Sequence, residues 1–313
     1  MNITAFSHFR HLHKRVSLNY WAYGIYLLII LIFSILHTNV RHDDPFIFYQ
    51  YAKNIAQGNG YVFNLGERVN GSTSALYPIL LAMLHLVTRL DIPLLGYFIS
   101  FLAVFGIGIC TSIMLSREGF QLSALLFPFI FILNPINRSA IGMETFVTVF
   151  FVILAHLKYD KNKIHSCAAL LTISILLRPD AILAATGIFI HYLLTNRKLP
   201  PLSVLAIFLL PLLLWAAFAF LYFGSIVPNT LGAKLAQTAS GRWGKGLIFL
   251  GQLLNTHLNY TTILLASSSV ATTAFLIYRN QVKGTLLLLL FWCLSYAVVY
   301  GFILNPPPYG WYY

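Results

Sequence analysis

Pro201-Leu202-Ser203-Val204-Leu205-Ala206-Ile207-Phe208-Leu209-Leu210-Pro211-Leu212-Leu213-Leu214-Trp215-Ala216-Ala217-Phe218-Ala219-Phe220-Leu221-Tyr222-Phe223 contains no charged side chain. A helix of about 20 apolar residues reaches across bilayer hydrocarbon. Further apolar runs lie near 18–37, 74–90, 94–115, 121–136, 143–158, 164–177, 179–195, 258–278 and 284–304. The 164–177 run is short, and it can fuse with 179–195 into one kinked helix. Across the 313 residues, 58% are hydrophobic and 9% charged, against roughly 25% charged in a soluble domain. So few charges cannot cover a globular surface in water, so a soluble fold is excluded. The expectation is an all-α polytopic membrane protein.

Charge then sets orientation. There are 20 Lys+Arg against 8 Asp+Glu, a net charge of +12. The basic residues sit mostly at the ends of apolar runs, as in membrane topology signals, which argues against nucleic acid as a partner. Arg10, Lys14 and Arg15 precede the first run and make 1–17 a cytoplasmic N-terminus, with no evident cleavable signal peptide. If 74–90 lies on the membrane, then Arg117, Lys158, Lys161, Lys163, Arg197, Lys198, Arg279 and Lys283 all fall inside. This register gives about nine transmembrane helices. Residues 18–304 form the membrane domain. Within it, 38–93 is a first external loop with interfacial helices and 224–257 a second external loop; 305–313 is an external C-terminal segment. Asp43, Asp44, Glu67, Asp91, Glu144 and Asp180 fall outside, Glu118 and Asp160 inside. Cys110, Cys167 and Cys293 lie within apolar runs and read as small buried hydrophobes rather than metal ligands or disulfides.

The first external loop is the most informative segment. In the stretch from His42 to Gly60, Gln50, Lys53, Asn54 and Gln57 make one polar stripe on an otherwise apolar helix. Such a helix suits the membrane interface. Asp44 is expected as N-cap with Pro45 opening the helix, and Gly58-Asn59-Gly60 as its end. Capping leaves Asp43 unexplained. Adjacent carboxylates repel, and at an outer membrane face such a pair suits a general base or a divalent metal, Mg or Mn. His42 beside them is either a further ligand or proton carrier, or a plain surface histidine. Asn70-Gly71 marks a turn, Glu67-Arg68 reads as a solvated pair or a binding pair, and 74–90 as a second interfacial helix.

These residues resemble a known family. Asp43-Asp44 with its aromatic helix, then Gly60-Tyr61-Val62-Phe63-Asn64-Leu65-Gly66-Glu67-Arg68-Val69-Asn70-Gly71-Ser72-Thr73-Ser74, is similar to bacterial GT-C fold glycosyltransferases that use polyprenyl-phosphate sugars. The nearest group is that of the mycobacterial terminal arabinofuranosyltransferase, with lipid A aminoarabinose transferases and protein O-mannosyltransferases as more distant cousins. Gly142-Met143-Glu144-Thr145, Arg178-Pro179-Asp180, Tyr222-Phe223-Gly224, Pro228-Asn229-Thr230, Ala233-Lys234 and Trp311-Tyr312-Tyr313 continue the resemblance in order. Two departures stand out. The family's Thr-Ser-Pro or Thr-Asn wording is Thr73-Ser74-Ala75 here, and family members run on past the point where this chain ends, so a truncated product is the expectation.

The resemblance implies a GT-C-like bundle, integral to the plasma (inner) membrane, with its catalytic cavity on the extracytoplasmic side. It implies transfer from a polyprenyl-phosphate sugar to a cell-envelope glycan, lipid or protein, with inversion. Asp43 or Asp44 would be the base, and Glu144 a further catalytic acid. Lys53, Asn64, Glu67, Arg68, Arg138, Arg178, Asp180, Asn229, Lys234, Trp311 and Tyr312 would bind substrate, with Arg178, Lys234, Arg138 and Lys53 as cations for the phosphate. Each has a plainer role: a local ion pair for Arg178 and Asp180, a loop charge for Lys234, a headgroup anchor for Arg138, a helix-dipole partner for Glu144, an interface belt for the terminal aromatics. The alternatives are a transporter or flippase of a lipid-linked substrate, or an inactive fragment of such a transferase. A transporter would place charges mid-membrane and show repeated halves, whereas no repeat is visible.

Overall fold

In the computed structural model the described residues are 21–32, 43–239 and 284–304, and they contain helices and no strand. The helices are α1 (Trp21–Ile32), α2 (Asp44–Ala56), α3 (Tyr77–Thr88), α4 (Ile92–Arg117), α5 (Gln121–Leu133), α6 (Thr145–Asp160), α7 (Ile164–Leu177), α8 (Ile182–Asn196), α9 (Leu202–Phe223), α10 (Asn229–Ala239) and α11 (Gly284–Val298). 3-10 turns cover Pro135–Ala140 and Pro179–Ala181. α11 widens into a π-helical turn over Val299–Leu304. The segments expected at 1–17, 258–278 and 305–313 lie outside the described residues, as does most of the loop expected at 224–257.

Three described helices are long and apolar enough to cross a membrane: Ile92–Arg117, Leu202–Phe223 and Leu287–Leu304. The other apolar helices rise at about 1.5 Å per residue. At 12 to 16 residues they stop short of the roughly 30 Å hydrocarbon core. α9 buries only Val204 and Ala219. Leu209, Leu210, Leu213, Leu214 and Leu221 on the same helix are exposed, a surface suited to lipid and not to water. This also corrects the reading of Cys293. Its apolar context is such an outer face, so the thiol is exposed, while Cys110 and Cys167 are buried.

Packing centres on α4, α6 and α7. α4 contacts α5 and α6, α6 contacts α7, α7 contacts α9, and α8 contacts α11. Tyr26 of α1 is fully buried against α4, its hydroxyl donating to Val104 O at 2.9 Å. Only a glycine at 108 leaves room for that ring, because a Cβ there would sit 2.5 Å from it. The runs at 164–177 and 179–195 do not fuse. Arg178 adopts an extended backbone (φ −145°, ψ 121°), which breaks the helix. α8 then returns alongside α7, since Tyr159 near the end of α6 meets His191 near the end of α8 at 2.8 Å. The starts of α6 and α8 therefore share one end of the molecule, and the ends of α6 and α8 share the other.

The first loop follows its sequence logic with one change. α2 starts at Asp44, with Asp43 at the N-cap position and no side-chain capping bond, so capping does not account for Asp44. Gly58 and Gly60 take left-handed backbone (φ +80° and +86°) and end the helix as expected. The polar stripe is put to use internally. Asn54 is 3% exposed and donates to the carbonyls of Val62 and Phe63, both at 2.8 Å, so it staples the following loop back onto α2. Tyr51 accepts from Gly71 N and donates to Val69 O, and Tyr61 donates to Ser74 O at 2.7 Å. The loop's far end is held by distant partners: Leu176 O accepts from both Ala75 N and Leu76 N, and Asn70 O from Asn229 N at 2.7 Å.

Candidate functional site

At the end of the molecule shared by the starts of α6 and α8, the chain between the Pro135–Ala140 turn and α6 is fixed from three directions. Tyr49 of α2 and Tyr77 of α3 both donate to Gly142 O, at 3.1 and 2.9 Å, and Gly142 N donates to Ser100 Oγ of α4 at 2.9 Å. Gly142 has φ +87°, and a Cβ there would lie 2.5 Å from the Tyr49 hydroxyl. Gly142→Ala is expected to destabilise the protein by about 2–3 kcal/mol, from left-handed strain and a displaced hydrogen bond. A drop in the denaturant midpoint of detergent-solubilised protein reads it.

This clamp presents Glu144 at the N-cap position of α6, 1% exposed. Arg178, leaving α7, meets it: Nη1 lies 3.2 Å from Glu144 Oε1 and 3.1 Å from Thr145 Oγ1. The same guanidinium binds Asp180 in fork fashion, with Nε 3.2 Å from both carboxylate oxygens and Nη2 2.7 Å from Oδ2. Two-residue spacing across Pro179 lets the extended Arg178 turn back on its own neighbour while its other edge reaches α6. Tyr300, in the π-helical turn, donates to Asp180 Oδ2 at 2.7 Å, and Tyr296 stacks on Tyr300 at 4.1 Å. Tyr300→Phe removes a hydrogen bond to a charged group, and is expected to cost about 1.5–3 kcal/mol of stability in the same unfolding measurement.

The electrostatics separate the two carboxyls. Burial raises the Glu144 pKa, with Arg178 only partly opposing it. Asp180 is also penalised by burial, but Arg178 and the Tyr300 hydroxyl win, and its pKa is lowered. Lys234 of α10 is half-buried, and burial followed by repulsion from Arg178 lowers its pKa. Asp44, Glu144 and Asp180 pull the other way. Lys234 therefore ties Asp44 on α2 to the ionic cluster. Glu144 Oε2 has no hydrogen-bond partner among the described residues.

Several expectations change here. Among the described residues the ion pairs are Arg178 with Glu144 and Arg178 with Asp180, so Glu144 has a structural partner that its sequence context hid. Glu67 and Arg68 do not pair. Glu67 accepts from Asn64 Nδ2 at 3.0 Å, and the Arg68 guanidinium lies 4.7 Å from the centre of the Tyr222 ring. The cause is reach: α9 offers Arg68 an aromatic face, and the Asn64 amide turns Glu67 back into its own loop. Asn64, Glu67 and Arg68 are exposed, as are Asp43 and Lys53. Asn229 opens α10 and contributes its backbone N–H. Of Arg138 only the backbone, in the 3-10 turn, is described. Trp311, Tyr312 and His42 lie outside the described residues. Sequence reasoning missed Ser100, Thr145, Tyr49, Tyr77, Tyr296 and Tyr300. The visible signal for the last two was a Tyr pair at i, i+4 in an otherwise aliphatic run.

No group of three or more His, Cys, Asp or Glu gathers among the described residues. Asp43 and Asp44 offer two carboxylates, a set that holds Mg²⁺ only together with ligand phosphates, and Lys234 competes for Asp44. The described residues thus define an all-helical protein with three helices fit to span a membrane and a buried ionic cluster where α6 and α8 start and α7 ends. Set against family models, curated proteins and solved structures, the chain matches none.

Proposed function

We propose that the chain is a membrane glycosyltransferase, of GT-C-like architecture with about nine spans. It moves a sugar from a polyprenyl-phosphate donor to a cell-envelope acceptor on the extracytoplasmic face of the inner membrane. The observation that carries this reading is the convergence of Glu144, Arg178, Asp180, Lys234 and Asp44, five of the residues that the family resemblance singles out from four separate parts of the chain. Their position at helix ends, rather than mid-helix, favours an enzyme over a transporter, whose charges line the membrane midplane.

The acceptor hydroxyl oxygen attacks the anomeric carbon. Its proton passes to a carboxylate of the Asp43–Asp44 pair, and the polyprenyl phosphate departs with the electron pair of the broken C–O bond. Lys234 is the cation suited to the leaving phosphate, because Arg178 is already committed to two carboxylates. Glu144 Oε2 has no hydrogen-bond partner among the described residues, and this carboxylate oxygen is suited to accept a hydrogen bond from a sugar hydroxyl. The test is transfer of radiolabel from a panel of polyprenyl-phosphate pentoses and hexoses in membranes containing the chain. Label in envelope material above that of empty membranes is expected. Incorporation at background level from every donor would refute the reading.

A further inference from the structure

An apolar concavity is lined by none of the residues of the ionic cluster. It has a volume of about 360 Å³ and sits between α7, α8 and α9, within the size range of small-molecule sites. Its walls are apolar: Leu171 from α7, Ala185 and Phe189 from α8, Val204 and Phe208 from α9. α9 rests on α7 and α8 rests on α11, which leaves the gap between them. Along α8 the lining runs from Ile182 to Tyr192, about 15 Å at helical rise. That is half of the roughly 30 Å hydrocarbon core, the depth of one leaflet's acyl chains.

One end of the slot, where α7 and α9 begin and α8 ends, is flanked by polar and basic residues. His165 Nε2 meets Ser203 Oγ at 2.9 Å on one side, and Tyr159 meets His191 on the other. Lys161, Lys163, Arg197 and Lys198 lie in the two turns at this rim, all exposed. Lys163 adjoins Ile164, and Lys198 stands two residues before Pro200; both neighbours line the cavity. Two acids stand at the same end, Asp160 and the Glu118 whose field it feels along with those of Arg117 and His191, against the four cations.

We infer that this cavity holds one acyl chain of an anionic glycerophospholipid whose phosphate sits on the basic rim. An apolar slot as deep as one leaflet takes the tail, and the cations select the head, each attracting a negative headgroup at close range. The inference does not depend on the transferase reading, since no residue of the ionic cluster lines the slot and the basic rim stands at the opposite end of α6, α7 and α8 from Glu144 and Arg178.

Native mass spectrometry tests it on the full chain in micelles carrying equal amounts of dioleoyl phosphatidylglycerol and dioleoyl phosphatidylcholine. Retention of the anionic lipid is expected to exceed that of the zwitterionic one by about tenfold. Lys163→Gln with Lys198→Gln brings the two to similar retention. Thr186→Trp fills the cavity from an exposed position and lowers retention of both, while Thr186→Val leaves both at the wild-type level. Equal retention of the two lipids by the wild-type chain overturns the inference. So does a Thr186→Trp chain that holds both as well as the wild type, or a preference that survives loss of the two lysines.

Discussion

Replacing Arg178 with methionine is expected to destabilise the protein by about 3–5 kcal/mol at neutral pH, the cost of stranding buried carboxylates without their cation. Arg178 is the hub of the cluster. Its side chain is 11% exposed and its two ionic partners are 2% and 15% exposed, so water reaches none of them easily. Methionine keeps the volume and removes every donor. The pH dependence identifies the cause. With the guanidinium present, Asp180 titrates below its usual range; it contributes stability above the unfolded-state pKa, and that stability is lost as pH falls. Without the guanidinium, burial is opposed only by Tyr300 and Lys234 at Asp180 and by Lys234 and a backbone hydrogen bond at Glu144, and both carboxyls are expected to titrate higher. The variant's deficit is then largest at neutral pH and shrinks as acid protonates the carboxyls. Adding Asp180→Asn should recover part of the loss. Unfolding midpoints in detergent at pH 7 and near pH 4 read both effects, and a variant as stable as wild type at pH 7 contradicts the buried ionic cluster.

Asp44→Asn is expected to lower transfer by about 10²- to 10⁴-fold, the usual share of a general base, with folding intact. The sequence left Asp43 and Asp44 equivalent. The fold separates them. Asp43 is exposed at the N-cap position, whereas Asp44 is half-buried in the first turn of α2. The Lys234 ammonium attracts Asp44, and the helix N-terminus adds its own positive end. Asp44 is thus the carboxylate joined to the cluster, and Asp43→Asn is expected to change the rate only several-fold, on the order of a surface charge effect. Radiolabel transfer measured for both variants in membranes ranks them. Full activity in Asp44→Asn would remove it as base; a larger loss in Asp43→Asn would reverse the assignment.

Much of this was legible from residue patterns. Helix character, the end of α2 at Gly58 and the break near Arg178 each rest on local chemistry: apolar length, positive φ, a residue held extended before Pro179. Glu144 stood out because so few acids interrupt the apolar runs, while Arg178 and Asp180 were singled out by the family resemblance, with a local ion pair as their plainer role. The Arg178–Asp180 pair could be read from its two-residue spacing; what could not be read was that Glu144 joins it. Glu144 and Arg178 are 34 residues apart, and only the antiparallel return of α7 brings them together. The apparent ion pair Glu67–Arg68 failed for the converse reason, since adjacency in sequence says nothing about an aromatic ring arriving from α9. Tyr300 is farther still from Asp180, and nothing in its flanks marks it as a hydrogen-bond donor to a carboxylate.

The carbonyl of Leu176 receives two amide protons from residues 75 and 76, and this has a consequence for biosynthesis. The ribosome delivers residues 43–76 first, yet their anchors at Gly142, Leu176 and Asn229 follow long afterwards. Until α7 is complete, Ala75 and Leu76 lack their native acceptor, and the far end of the loop cannot take its final place. The earliest-made part of the candidate site therefore waits on chain made much later. A nascent chain halted soon after α6 should leave the 43–76 segment open to protease, and one halted after α10 should protect it.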